Sequence, residues 1–175
     1  MEIADVNLKG ECWGQLLNAF SEFFSAQSQQ PNYSVYSISV SIGIMYDKQS
    51  ETAGEETEES KDNPKSVPRT VLYQHNTDLD FLFQAAILTS NLVNYNEKER
   101  MDLAFNTKCP IKLNKLDFLT KFANFGAQKL LEQVADESVE TMQKLKSFVA
   151  ATVEGYNHEI DSISLDDIDI DDIEN

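Results

Sequence analysis

Along residues 8–27 the side chains Trp13, Leu16, Leu17, Phe20, Phe23 and Phe24 recur every three or four positions. That spacing predicts an amphipathic helix with an aromatic stripe, stopped by Ser28, Gln29, Gln30 and Pro31. Residues 33–46 change the rhythm. Tyr36, Ile38, Val40, Ile42, Ile44 and Tyr46 alternate with Ser37, Ser39, Ser41 and Gly43. A period of two predicts a strand with one apolar and one small, flat face. Residues 48–68 lose all apolar periodicity, carry Gly54, Pro64 and Pro68, and read as a flexible acidic loop. Arg69–His75 predicts a second strand, with Val71 and Tyr73 on one face. Strand, loop and strand then form one long β-hairpin with an extended tip.

Helical spacing returns from residue 78. Asp78 is placed to cap a helix whose apolar stripe is Leu79, Leu82, Phe83, Ala86, Ile87 and Val93. Asn96 opens a shorter helix with Glu97 and Glu99 in its first turn and Met101, Ala104 and Phe105 as its apolar side. Asn114 opens a long one through Leu116, Leu119, Phe122, Ala123, Leu130 and Val134. Asp136 or Ser138 opens the last, with Val139, Met142, Leu145, Phe148 and Val149, and Gly155 is placed to stop it. The expected class is α+β: a mainly helical bundle of five to six helices, with the hairpin inserted after the first helix. Residues 1–157 are expected to form one domain, and 158–175 an acidic tail. A lone two-stranded hairpin is marginal, so it either lies across the helices or forms a homo-oligomer by pairing with a second copy.

Composition sharpens this picture mainly through where the charge lies. The 175 residues carry a formal charge of −16. Segment 159–175 contributes −8, with eight acids and no base. Segment 47–65 contributes −4, with seven acids against three lysines. The rest of the chain is only mildly acidic. Direct binding to a phosphate backbone needs clustered Lys and Arg and is not expected. No stretch approaches the roughly 18 apolar residues of a membrane span. The opening residues MEIADVNLKGECW lack the basic flank and apolar run of a signal peptide. Cys12 and Cys109 are far apart and form no disulfide pattern. The expected location is cytoplasmic.

The chain advertises little chemistry. Cys12, Cys109, His75 and His158 are its whole set of soft ligands, and no two are close in sequence, whereas zinc sites use paired ligands. The glycines form no phosphate-cradling loop. Asp78 and Asp80 are a carboxylate pair, better explained as first-turn charge on a helix than as an acid–base couple. No catalytic residue, metal or cofactor is expected.

The segment with the most functional character is the last. Ile160, Ile163, Leu165, Ile168, Ile170 and Ile173 step by three and two among Asp166, Asp167, Asp169, Asp171 and Asp172. On a helical wheel these aliphatics spread all round, and Ile and Asp are weak helix formers. Short extended pieces, Ile163–Leu165 and Ile168–Ile170, fit better. Such pieces add to a sheet edge, with Ile in pockets and Asp facing lysine or arginine. The expected partner is a protein with a basic, apolar groove. The chain then reads as a non-catalytic accessory subunit or adaptor, tethering a basic, nucleic-acid-processing type of partner. The alternative is an acidic DNA mimic that inhibits a nucleic-acid-binding protein. A mimic needs carboxylates fixed on a rigid surface, and most of the excess charge lies on the two acidic segments.

Overall fold

The computed structural model describes residues 4–20, 30–134 and 141–153. Among them are eight helices and one two-stranded antiparallel sheet, so the class is α+β and mostly helical. In chain order these are β1 (Val6–Leu8), α1 (Glu11–Ala19), α2 (Pro31–Met45), α3 (Glu58–Asp62), β2 (Lys65–Val67), α4 (Arg69–Gln74), α5 (Asn76–Thr89), α6 (Glu97–Phe105), α7 (Lys115–Val134) and α8 (Thr141–Val153). The chain divides into two compact units, Met1–Glu132 and Gln133–Asn175.

The expected long hairpin does not form. Residues 33–46, read as a strand, lie in α2 and its C-cap. The period of two misleads because α2 is covered on nearly all sides. In a helix so placed, apolar residues are needed all round and need no single stripe. Of its fifteen residues only Met45 is exposed. The intervening serines do not oppose burial, because their hydroxyls return to the helix itself. Ser37 Oγ donates to the Ser34 carbonyl (3.1 Å) and Ser41 Oγ to the Ser37 carbonyl (3.0 Å). Pro31 sits in the first turn, where its missing N–H costs nothing.

The second expected strand, Arg69–His75, is likewise helical, as α4. Pro68 stands at its N-cap, and its carbonyl accepts from both Val71 (3.0 Å) and Leu72 (3.1 Å). The strand that does form is the preceding Lys65–Val67, which pairs with Val6–Leu8 in the register Val6↔Val67, Asn7↔Ser66, Leu8↔Lys65. Three-residue strands leave too little alternation to read from sequence.

Segment 48–68, expected to be a loop without structure, holds α3, β2 and an irregular strap. Thr57 caps α3 by accepting from Ser60 N–H (3.2 Å). The strap is fixed by polar rather than apolar groups, which explains its lack of periodicity. Ala53 ties the strap to the start of α1: its N–H donates to the Lys9 carbonyl (2.8 Å), and its carbonyl accepts from Cys12 N–H (3.1 Å). Gly10 permits this approach: its φ is +107°, and a Cβ there would strike the Ala53 backbone. On the other side Asn124, buried in α7, donates to the carbonyls of Ser50 (3.2 Å) and Glu51 (2.8 Å) and accepts from Trp13 Nε1 (3.1 Å).

The core of the first unit gathers on α2. Trp13, Leu16, Phe20, Tyr36, Val40, Leu72, Leu79, Ile87, Leu119 and Phe122 are essentially sealed from solvent. Helices α2 and α7 cross with their backbones close together. A Cβ on Gly43 would run into the Phe122 backbone, and one on Gly126 into the Ser39 carbonyl. Glycine is therefore required at both places so that the two backbones can meet. The caps expected at Asn96 and Asn114 are present. Asn96 forms a reciprocal capping box with Glu99, and Asn114 Oδ1 accepts from Asp117 N–H (3.3 Å). Asp78 is not the cap of α5, which begins two residues earlier. In the second unit α8 buries Phe148 and exposes Val149.

Candidate functional site

The residues expected to carry binding, Ile160, Ile163, Leu165, Asp166, Asp167, Ile168, Asp169, Ile170, Asp171, Asp172 and Ile173, lie outside the described residues. So do His158, Phe23 and Phe24.

Its reactive groups are dispersed. Cys12 is buried on α1, and burial, followed by the charge of Glu11, raises its thiol above the ordinary range. Cys109 is half-buried in the connection between α6 and α7. The His75 ring stacks on Tyr33 (centroids 4.0 Å apart, planes 18° apart). Its Nδ1 lies 3.1 Å from Asp78 Oδ2 and its Nε2 2.9 Å from Gln30 Oε1. Asp78 and Asp80 do not act together. Asp78 turns to His75, whereas Asp80 receives the Lys115 ammonium (2.5 Å) and the Asn76 amide (2.9 Å). Among the described residues no group of three His, Cys, Asp or Glu is placed to hold a metal ion.

Surface apolarity is more concentrated. Phe81 is 69% exposed, Phe105 57%, Leu92 52% and Met101 49%. All four belong to α5, α6 and the turn between them. Single exposed apolar residues are common on protein surfaces, whereas four large ones fall here on one helical hairpin. The hairpin itself is firmly built. The Arg100 guanidinium donates to the carbonyls of Ser90 (2.7 Å), Val93 (3.0 Å) and Ile87 (3.3 Å), and its Nε to Tyr95 (3.0 Å). Ile87 and the C-cap Ser90 belong to the end of α5, whose last carbonyls lack helical partners, and Val93 and Tyr95 to the turn that follows. Gln84 Nε2 donates to the Ala104 carbonyl (3.2 Å).

Sequence reasoning placed Met101 and Phe105 on the buried side of α6, yet Ala104 is the residue that is buried there. Phe81 went unremarked, because it lies off the stripe of Leu79, Phe83, Ala86 and Ile87 that α5 buries. The signal was available: a phenylalanine on the solvent side of an amphipathic helix is an expensive place for an aromatic ring. Of the first aromatic stripe, Trp13 and Phe20 are core, as are Phe118 and Phe122.

Phe81 also stands at the rim of a groove. Helices α2 and α5 run side by side in the same direction. Tyr33 in the first turn of α2 stacks on His75, the N-cap of α5. Two residues beyond the other end of each helix, Asp47 Oδ2 accepts from Asn91 N–H (2.8 Å). Between these ties lies an open groove of about 580 Å³, with Ser37, Ile38 and Ser41 on one wall and Phe81 and Leu82 on the other. A second, larger groove of about 1150 Å³ runs between Ala4–Asn7 and Ile111–Asp117. There Lys112 and Lys115 are offset by Asp5 and Asp117, so it offers no net charge to a partner.

No helix among the described residues is long and apolar enough to cross a membrane. The chain matches no protein-family model, no curated protein and no solved structure.

Proposed function

We propose that this chain is a non-catalytic interaction subunit or adaptor of a larger cytoplasmic assembly, which tethers a basic partner through its acidic, aliphatic segment 159–175. The observation that supports binding is the exposure of four large apolar side chains, Phe81, Leu92, Met101 and Phe105, on one helical hairpin whose turn Arg100 ties together. A surface of this kind lowers its free energy by being covered. The charge of segment 159–175 selects a basic partner and accelerates encounter with it. The mimic reading gains little from the body. Glu58, Asp80, Glu51 and Glu132 each pair with a lysine, so these carboxylates do not form a bare, duplex-like array.

The test is partner capture by the full chain against a chain ending at residue 158. Loss of capture on truncation supports the tether, and undiminished capture overturns it. Within the segment, Ile168→Ser with Ile170→Ser should weaken capture more than Asp167→Asn with Asp169→Asn. Equal or reversed losses would show that the aliphatics are passengers.

A further inference from the structure

We infer that the groove between α2 and α5 is a docking site for a basic, amphipathic helix of a protein partner, seated against Phe81. The inference rests on the binding reading above and assigns a second surface, separate from segment 159–175, with its own kind of occupant.

The shape argues for a helix. The groove's walls are two helices that run in the same direction and are tied together near both ends. The fourteen residues of α5 span about 21 Å at a rise of about 1.5 Å per residue. The groove itself is lined from Tyr33 to Ser41 on α2 and from His75 to Leu82 on α5, about 11 Å, which seats about two turns of a partner helix. Seven positions beyond the rim residues Ile38 and Phe81, past the lined part of the groove, each helix carries a further exposed apolar side chain, Met45 on α2 and Leu88 on α5. A seven-residue step is two helical turns and keeps both members on one face. Phe81 is 69% exposed, Met45 41% and Leu88 39%. Helix-in-groove recognition reads such pairs through anchors at i, i+3 or i+4, and i+7. Between the rims lie Ser37 and Ser41, whose hydroxyls already bond to α2 carbonyls. Covering them strands no donor, and their small size admits close approach.

The charge argues for a basic occupant. Helix α2 has no charged residue, and α5 has only Asp78 and Asp80. Asp80 is taken by Lys115, while the Asp78 side chain is 65% exposed at the groove's edge beside His75. Bases near the far end are occupied elsewhere. The Lys48 ammonium lies over the Phe125 ring (5.8 Å), and the Arg100 guanidinium is turned into the α5 carbonyls. The first unit as a whole has 18 acids against 12 bases, a net charge of −6. An anionic lipid surface or a second copy of the chain would meet repulsion here, and a basic helix would be drawn in.

The experiment titrates the full-length, isotope-labelled protein with two synthetic fourteen-residue peptides of identical leucine and lysine content. One is patterned as an amphipathic helix and the other is scrambled. The amphipathic peptide should shift the resonances of Ser37, Ile38, Ser41 and Leu82 and bind about tenfold more tightly than the scrambled one. Phe81→Asp should weaken it about tenfold or more, as expected for a central aromatic anchor. Asp78→Asn should weaken it severalfold and flatten its salt dependence. Both sites are exposed, so circular dichroism and unfolding should remain those of the parent. Shifts scattered over other acidic surface, equal binding of the two peptides, or indifference to Phe81→Asp would overturn the assignment. Dimerisation of the chain alone, or binding to anionic vesicles, abolished by Phe81→Asp would also overturn it. Failure here with capture still lost on removing residues 159–175 leaves the tether standing.

Discussion

Helix α2 has two sides that use similar residues to opposite effect. Toward α7 it presents Ser39 and Gly43, and the partner backbone comes so close that no Cβ fits at Gly43 or Gly126. Toward α5 it presents Ser37 and Ser41, and the neighbouring wall stays far enough away to leave a groove of about 580 Å³. Small residues on a helix thus seal one interface and leave the other open. What decides is the residue opposite. A glycine on α7 closes the first, whereas α5 turns Phe81 outward along the second. The sealed side serves stability, and the open side is free to serve recognition.

The largest effect should come from breaking the seal. Gly126→Val should cost about 3 kcal/mol or more, since overpacking against backbone leaves no flexible neighbour to yield. Urea unfolding measures it, and a cost below about 1 kcal/mol would mean the helices are not in contact there. Next comes the wall of the open side. Arg100→Ala removes the partner of four carbonyls at the end of α5 and in the turn after it and should cost about 2–3 kcal/mol. Arg100→Lys should recover little of this, because an ammonium cannot match the planar fork.

A smaller effect, of opposite sign, separates the two serine rows. Ser39 Oγ is buried and meets no partner among the described residues. Ser39→Ala should therefore stabilise by about 1 kcal/mol, whereas Ser41→Ala should change stability by less than about 0.5 kcal/mol. Reversal of that order would mean the hydroxyls are satisfied differently. The smallest effect lies at high pH. Burial, and then the charge and hydrogen bond of Asp78, push the Tyr33 phenol up from 10.0 to about 12. A raised native pKa means the folded state holds the proton longer than the unfolded chain does. Tyr33 should thus stabilise fully below pH 10.0 and lose that contribution as pH rises toward about 12. Denaturation midpoints across this window, alongside phenolate absorbance, would show it. An unchanged midpoint in Tyr33→Phe at both ends would remove Tyr33 as its source.

These contrasts explain what the sequence made legible. The α5, α6 and α7 helices were readable because α7 faces solvent on one side and the caps at Asn96 and Asn114 obey local chemistry. Helix α2 was misread because a helix at least half-buried on nearly every side loses the stripe on which periodicity depends, and its Ser–apolar alternation imitates a strand. The strap at 48–56 was misread because Asn124, Lys9 and Cys12 hold it by backbone carbonyls, which leave no mark on its own side chains. Phe81 was overlooked for a related reason. Pattern reading looks for residues that belong to the core, and Phe81 is informative because it does not.

The central claim is that Phe81 is held outside the energetics of folding and kept for a partner. Urea unfolding of full-length Phe81→Ser tests it most directly. The account predicts a change of less than about 0.5 kcal/mol, as for other exposed positions. Phe83→Ser, two residues away and buried, should cost about 3 kcal/mol or more. A Phe81 loss approaching that of Phe83 would show that the ring already packs within the fold, and would contradict the open groove.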